Sequence, residues 1–221
     1  MEARIDLATL SARNPFLAGC SAETRTALIE RGTLVSFATA ILLFQERERA
    51  GVVLFPLNGA LQMSRTADQG RRQVLCNVDS TSCSGICLLM MADRGLGDVR
   101  ALNSGQVLVL PRADFQWLAR QDPQLCQAAW NAAADCMGHL SNLVENLSFH
   151  KVAQRVALML LESTEKDGDL VRRTQAELAA EVGTTREVVA RCLAGLQAAG
   201  AIRLGRGRIT VMRRSELAQE V

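Results

Sequence analysis

The stretch TQAELAAEVGTTREVVARCLAGLQAAG, residues 174–200, decides the fold of the C-terminal part of this chain. Thr174 and Glu177 have the T-x-x-E spacing of a capping box, which predicts the start of a short helix. Gly183 suits a tight turn, because glycine adopts a left-handed backbone conformation at little cost. Thr184 or Thr185 can then cap a second helix. The stretch therefore predicts two short helices joined by a turn.

The second predicted helix has an apolar side and a charged beginning. Its apolar residues recur at helical spacing and are Val188, Val189, Leu193 and Leu196. Arg186, Glu187 and Arg191 cluster near its N-terminal end. Reading base edges in the major groove requires polar and fork-shaped side chains at the start of such a helix. An ordinary amphipathic helix pair with solvated charges has the same pattern, so the flanking residues must decide between the two interpretations.

The flanks of the helix pair are strongly basic. From Arg172 to Arg214 the chain has nine arginines and three glutamates, a local charge of +6 (9 − 3), whereas the whole chain carries +2. After Gly200 the residues AIRLGRGRITVM predict two short strands around a basic turn. A wing of this kind contacts backbone phosphates. The pattern favours DNA binding through Arg186, Glu187, Arg191, Thr184, Thr185, Arg206 and Arg208.

The residues before the helix pair predict a β-rich region and a long helix. Short apolar runs from Gly32 to about Pro111, separated by turn-prone residues, indicate a β-barrel or jelly-roll. Helices are predicted over 1–32, 113–119, about 123–149 and 152–162. The long one carries an apolar stripe, defined here as Trp130, Met137, Leu140, Val144 and Leu147. This stripe suits pairing with a second copy of the chain, although packing on the β-rich region is the alternative.

Composition excludes several classes of protein. No stretch has the apolar length of a membrane span, and the charged N-terminus lacks the apolar core of a signal peptide, so we predict a cytoplasmic protein without a membrane partner. Seven cysteines in such a chain favour buried thiols, redox-active thiols or metal ligands over structural disulfides. The chain has no catalytic-triad spacing, phosphate loop or histidine-rich metal motif, so we predict that it is not an enzyme.

The order of β-roll, long helix and winged helix pair resembles the cyclic-AMP receptor protein/FNR family of bacterial transcription regulators. The resemblance is strongest over 145–161 (ENLSFHKVAQRVALMLL) and 182–193 (VGTTREVVARCL), and the latter matches the family's G-x-[ST]-R-E-x-x-x-R pattern. It implies an α+β chain. The N-terminal β-roll sensor domain, jelly-roll-like and of cyclic-nucleotide-binding-domain fold, would cover 1–121. The dimerisation helix and hinge would cover 122–150, and the winged helix-turn-helix 151–221.

The same resemblance implies partners and roles. Relatives bind double-stranded DNA as homodimers at palindromic TGTGA-like half-sites and work with RNA polymerase. By matching the motif, Arg186, Glu187 and Arg191 take the three base-reading positions. Cyclic-nucleotide-binding members carry a G-E-L/I segment and an Arg-Ser pair, which become Ser84-Gly85-Ile86 and Gly95-Leu96 here. We therefore expect no useful cyclic-AMP binding.

Cysteines stand in and around the altered ligand segment. Cys83 and Cys87 flank it, and Cys136 falls on the long helix at a position that faces the pocket in relatives. We predict that these three thiolates hold an iron–sulfur cluster, with Cys76 or Cys126 as the fourth ligand. A tetrahedral zinc ion or a soft thiophilic ion is an alternative metal. Haem is another alternative, because the chain is similar to the CooA-type gas-sensing branch; that branch's Cys-x-His motif is absent here, so a cysteine or His139 would hold it.

Two further alternatives need no bound cofactor. The thiols could act as a redox switch, for which Cys192, beside Arg191 on the reading helix, is a separate candidate. The cysteines could also be buried core residues in a regulator that senses nothing, because free cysteine is among the most buried residue types.

Overall fold

The computed structural model describes residues 14–46, 51–80 and 96–221, which form two compact units. Of these residues, 14–46, 51–65, 75–80 and 96–140 belong to the first unit, and 66–74 and 141–221 belong to the second. Of the helical region predicted over 1–32, residues 1–13 lie outside the described residues. None of the described helices combines the length and the apolarity needed to cross a bilayer.

The first unit is built on two antiparallel sheets. Their strands are β1 (Thr33–Phe37), β2 (Leu42–Phe44), β3 (Val52–Asn58), β4 (Ala60–Thr66), β5 (Arg72–Asp79), β6 (Asp98–Ala101) and β7 (Gly105–Pro111). One sheet has the order β1-β7-β3 and the other the order β2-β6-β4-β5. Helices α1 (Pro15–Ala18), α2 (Ala22–Arg31), α3 (Arg112–Gln121) and α4 (Pro123–Phe149) flank these strands in sequence. The predicted β-roll is confirmed.

Strand β3 shows how the sequence fills two cores at once. Successive strand residues point to opposite faces. Val53, Phe55 and Leu57 therefore pack with helices α1 to α4, while Leu54 packs between the two sheets. All four side chains are at most 2% exposed. The sequence of a strand that is buried on both faces is therefore a continuous apolar run and does not alternate between apolar and polar residues.

Asp122 fastens the start of helix α4 to helix α2. Its carboxylate accepts hydrogen bonds from the Thr24 hydroxyl (2.6 Å), the Ser21 amide (3.2 Å) and the Gln124 and Leu125 amides (2.8 and 3.2 Å). Burial raises the pKa of this carboxyl, but the four hydrogen bonds outweigh burial and lower it to about 2. The buried charge thus satisfies the first orphan amides of a 27-residue helix.

Helix α4 has a buried beginning and an exposed apolar stripe. Leu125 and Ala132 are buried in the core of the first unit. In contrast, Trp130 is 70%, Met137 73% and Val144 62% exposed in the single chain. The bounds predicted for this helix are confirmed. Most of its apolar stripe is exposed to solvent in the single chain.

The second unit is a winged helix domain. Its elements are α5 (Val152–Glu162), β8 (Leu170–Val171), α6 (Gln175–Val182), α7 (Arg186–Ala198), β9 (Ile202–Gly205), β10 (Arg208–Val211) and α8 (Arg214–Glu220). The small sheet has the order β8-β10-β9. Val156, Leu160, Leu178, Val189 and Leu193 are each 0% exposed and form the centre of one core. The predicted helix pair and wing are confirmed.

Candidate nucleic-acid interface

The first helix of the pair begins with a closed capping box. The Thr174 hydroxyl oxygen accepts a hydrogen bond from the Glu177 amide (3.2 Å), and the Glu177 carboxylate accepts one from the Thr174 amide (2.6 Å). At the other end Gly183 has φ 71° and donates its N–H to the Ala179 carbonyl. Both local signals in the sequence are confirmed. They fix the length of α6 and the turn that leads into α7.

The second helix begins differently. Thr185 is the N-cap residue of α7, but its side chain makes no capping hydrogen bond. Instead, the Glu187 carboxylate accepts from its own backbone N–H and from the Thr185 hydroxyl, and both contacts lower its pKa, with smaller effects from Arg186 and Arg191. The predicted N-cap position at Thr185 is therefore confirmed, whereas the capping hydrogen bond expected from a threonine oxygen is absent at this residue. Glu187 is held ionised, as a hydrogen-bond acceptor.

The start of α7 presents three charged side chains to solvent. Arg186, Glu187 and Arg191 are exposed, whereas Val189, Leu193 and Leu196 are buried. At 100° per residue the three charged positions lie within an arc of about 140°. Thr185 is exposed beside them, and Thr184 is half-buried, donating its amide to the Ala179 carbonyl at 2.9 Å.

The wing adds exposed arginines. Strands β9 and β10 pair in register from Arg208 opposite Gly205 to Val211 opposite Ile202. Gly207, with φ 65°, closes the turn between them. Arg203, Arg206 and Arg208 are exposed. The wing therefore presents guanidinium groups on a short, hydrogen-bonded ribbon.

A cleft of about 470 Å³ joins these parts. It is lined by Arg186, by the wing residues from Leu204 to Ile209 and by the beginning of α6, including Arg173 and Gln175. The sequence did not single out Arg173 or Gln175, although their position just before and at the start of the first helix could have drawn attention to them. Arg173 is held by a salt bridge from its Nε to Glu181 Oε1 at 3.0 Å.

Two arginines in the basic stretch serve the fold. Arg213 donates through Nη2 to the Ala199 carbonyl (2.6 Å) and through Nε to the Gly200 carbonyl (3.3 Å), just past α7. Arg214 donates through Nη1 to the Thr164 hydroxyl (2.6 Å) and the Leu161 carbonyl (2.9 Å), and it also contacts the Thr164 carbonyl. These two guanidinium groups therefore satisfy carbonyls near helix ends, which leaves fewer of their donors for phosphates.

The cysteines of the predicted cofactor site are described in part. Cys76 is 4% exposed and packs between the two sheets with Met63 and Val99, while Cys126 and Cys136 are half-buried on α4. Cys83 and Cys87 lie outside the described residues, as do Ser84-Gly85-Ile86 and Gly95. Within 14–46, 51–80 and 96–221, no three histidine, cysteine or acidic side chains converge as metal ligands. The described donors alone therefore do not make a complete site.

Cys192 packs partly against the core of the second unit. Burial raises the pKa of its thiol, against the positive charge of Arg191, which lowers it. The reactive form of a cysteine is the thiolate, so this environment works against a redox role for Cys192.

A β-roll, a long helix and a winged helix pair with exposed arginines together define a DNA-binding transcription regulator of the winged helix-turn-helix class. Comparison with known proteins supports this class. Residues 34–122 match the model of the cyclic nucleotide-binding domain, and residues 154–220 match that of the Crp-like helix-turn-helix domain.

Relatives cover most of the chain. The cyclic AMP receptor protein of Thermus thermophilus is 27% identical over 180 residues, 81% of this chain and 83% of its own. The cAMP-activated global transcriptional regulator Vfr of Pseudomonas aeruginosa is 26% identical over 166 residues, 70% and 78% of the two chains. The structure of FixK2 from Bradyrhizobium japonicum superposes with a TM-score of 0.70 at 22% identity, covering 85% and 96%. The chain belongs to the cyclic-AMP receptor protein/FNR family of transcription regulators.

Proposed function

We propose that this regulator reads palindromic, TGTGA-like half-sites in double-stranded DNA. The observation that carries the proposal is the exposure of Arg186, Glu187 and Arg191 at the start of α7, beside the arginines of the wing. Arginine suits bidentate contact with guanine, and an ionised glutamate suits the amino group of cytosine. Arg206 and Arg208 suit phosphates, which fix position without reading sequence. The proposal therefore assigns the base contacts to α7 and the backbone contacts to the wing.

We further propose that two copies of the chain pair through helix α4. Support comes from the apolar stripe, whose members at positions 130, 137 and 144 recur every seven residues and are largely exposed. A repeat of seven is the spacing at which one face of a helix meets a partner helix. Pairing would cover this surface and would place two reading helices on one palindrome, with RNA polymerase as a further partner.

The test of DNA reading begins with selection of bound duplexes from a randomised pool by the purified protein. Affinities of the selected duplex are then compared for the wild type, Arg186→Ala and the control Arg120→Ala, which removes an exposed arginine of the first unit. We expect Arg186→Ala to cost about 1–3 kcal/mol and to relax the preference at one base pair. Equal affinities and footprints for wild type and Arg186→Ala would contradict the base assignment.

For the sensor we propose that Cys83, Cys87 and Cys136 hold an iron–sulfur cluster, with Cys76 or Cys126 completing the ligand set. Cys76 in the sheet interior and Cys136 on α4 supply described donors of the right chemistry. The proposal depends on Cys83 and Cys87, because the described donors do not suffice. When bound, such a cluster supplies a centre that reacts with oxygen, nitric oxide or oxidants. The loss of the carboxylate and arginine that grip a cyclic nucleotide argues against cyclic AMP.

The test of the sensor uses protein purified without oxygen, with measurement of its visible spectrum, iron and acid-labile sulfide. We expect broad absorption near 400 nm with sulfide, lost in Cys83→Ser and kept in Cys20→Ser. Cys20 is a suitable control because burial raises its pKa to about 11 and its thiol donates to the Phe16 carbonyl. A sharp Soret band would indicate haem instead. Colourless, metal-free protein would favour a thiol switch if peroxide alters DNA binding, and an effector-independent regulator if it does not.

Calorimetry with cyclic AMP tests the remaining part of the proposal. We expect no tight binding, because a charged nucleotide in this pocket would lack the carboxylate and arginine partners. Tight binding would show that the altered segment still forms a nucleotide site.

A further inference from the structure

The cleft between the wing and the helix pair lies within the second unit, and its lining carries charge of one sign. The described residues that line it include four arginines and no acidic residue. Three of them, Arg186, Arg206 and Arg208, have neither a hydrogen-bond nor a salt-bridge partner among the described residues. Their guanidinium donors are therefore available to an anion from outside the chain.

The fourth arginine, Arg173, is oriented by contacts within the same unit. Its Nε donates to Glu181 Oε1 at 3.0 Å and its Nη1 donates to the Arg172 carbonyl at 2.9 Å, while its Nη2 has no partner among the described residues. The start of α6 adds backbone donors, because the capping box does not engage the amides of Gln175 and Ala176, which also line the cleft. Guanidinium groups and unpaired helix amides are the donors with which proteins bind phosphate groups.

Gly205, the last residue of β9, has no reason in its own backbone to be a glycine. Its φ does not lie in the left-handed region, and it pairs directly opposite Arg208. Glycine in a strand often marks a position that another group approaches closely. Here that group is the Arg208 side chain, since a Cβ atom at position 205 would lie 2.7 Å from Arg208 Nε and 2.9 Å from its Cγ. The missing side chain therefore gives Arg208 the space to lie across the ribbon.

A side chain at position 205 would exclude this conformation of Arg208. Because Cγ is close to the backbone, the arginine could not avoid the clash by moving its tip alone and would have to adopt another rotamer. The ribbon itself could keep its register, since only a flexible side chain is in the way. An arginine that is already ordered loses less conformational entropy when it binds a ligand. Gly205 therefore acts on binding through Arg208.

We infer that this cleft is a binding site for phosphate groups, and that Gly205 is a positioning residue that holds Arg208 in it. The volume of about 470 Å³ is in the range of small-ligand sites. One source of the phosphate is the backbone of bound DNA, and for this source the inference rests on the proposed DNA reading. The other source is a free oligophosphate, which presents the same chemistry and, by occupying Arg186, competes with DNA.

The experiment measures two affinities of the full chain at one ionic strength. Calorimetry gives the affinity for inorganic triphosphate, and fluorescence anisotropy gives the affinity for the duplex that the wild type selects. We expect Arg208→Ala to weaken binding by about tenfold and Gly205→Ala by about threefold. In the Arg208→Ala background, Gly205→Ala should change the affinity by less than about 1.5-fold, because no arginine is left to displace.

Two controls separate this effect from general changes. Gly195→Ala adds a methyl group at a glycine with open space around it, and should leave both affinities within about 1.5-fold of wild type. Arg203→Ala removes an exposed wing arginine that is not part of the cleft lining, and should leave triphosphate affinity within about 1.5-fold.

The two ligands distinguish the sources of the phosphate. Weaker binding of Gly205→Ala to triphosphate alone identifies a free anion, to DNA alone a backbone phosphate, and to both ligands a cleft that accepts either. Unchanged affinities for both ligands would overturn the inference. An equal loss with and without Arg208 would also overturn it, because Gly205 would then serve only the structure of the wing. Failure to select any duplex would overturn the proposed DNA reading, whereas the triphosphate titration would still decide the inference.

Discussion

Arginines at the two ends of helix α7 differ in what their guanidinium groups contact. At its start, Arg186 and the nearby wing arginines Arg206 and Arg208 are exposed around an open cleft. Beyond its end, Arg213 and, across the unit, Arg214 donate to backbone carbonyls and to the Thr164 hydroxyl. The same residue type thus stabilises the fold in one region and is exposed to solvent in the other.

The difference shows that local charge alone does not define a DNA-binding surface. A guanidinium that already satisfies the last carbonyls of a helix has few donors left for a phosphate. The proposed reading face of this unit is therefore smaller than the local charge of +6 suggests, and we assign it to the start of α7, the wing and the residues before α6. Removing arginines from each group separately tests the division.

The largest effect is expected from Arg214→Ala. The substitution removes the donor to the Leu161 carbonyl and to the hydroxyl oxygen of Thr164, which is only 6% exposed and would keep only its own hydrogen bond to the Leu160 carbonyl. We expect the free energy of unfolding to fall by about 2–3 kcal/mol, measured by urea denaturation. Arg208→Ala is the matched control and should leave this free energy within about 0.5 kcal/mol of wild type. Equal stabilities of the two variants would abolish the distinction between the two groups of arginines.

Asp122 in the first unit, like Arg214 in the second, is a charged residue whose hydrogen bonds stabilise the fold. Its folded pKa of about 2 is below the ordinary value of 3.8, so its stabilisation is present above about pH 4 and is lost as the pH falls towards 2. We expect Asp122→Asn to lower the free energy of unfolding by about 2 kcal/mol at pH 7 and to flatten its dependence on acid. Asp68→Asn, in the exposed hairpin, is the control. A variant that keeps the wild-type acid slope would contradict the role of Asp122.

The two caps of the helix pair predict a smaller difference. Thr174 closes a complete capping box, whereas the Thr185 side chain makes no capping hydrogen bond to the amides of α7. Thr174→Ala should therefore cost about 1 kcal/mol of stability, and Thr185→Ala less than about 0.5 kcal/mol. Thermal unfolding of both variants measures the difference. A larger loss for Thr185→Ala would show that the start of α7 is also built for stability.

The smallest effect is expected from Arg206→Ala on the wing. A phosphate contact carries no sequence information, so affinity should fall uniformly for all duplexes. The slope of log affinity against log salt concentration should become shallower by about 1, as one contact is removed. Fluorescence anisotropy over a salt series provides the measurement. A change in sequence preference with no change in salt slope would move Arg206 from the phosphate group to the base-reading group.

Much of this fold could be predicted because its signals are local. The Thr174–Glu177 box, the glycine at 183 and the seven-residue spacing on α4 each depend on residues within one or two turns. The roles of Arg213 and Arg214 could not be predicted in this way, since Arg214 reaches Thr164, 50 residues earlier in the chain. The absence of a threonine cap on α7 could not be predicted for another reason. The Thr185 hydroxyl can either accept from a helix amide or donate to the Glu187 carboxylate, and the sequence does not say which of the two it does. Base contacts and the cofactor site remain predictions.

The uncovered apolar stripe on helix α4 has a consequence for gene dosage. If two copies of the chain must dimerise before both half-sites of a palindrome can be bound, the dimer concentration at low expression rises with the square of the chain concentration. Promoters under such control would respond to the concentration of the regulator in the cell as well as to the chemical signal that the regulator senses. Dilution by growth and division would then weaken regulation more steeply than the fall in copy number itself.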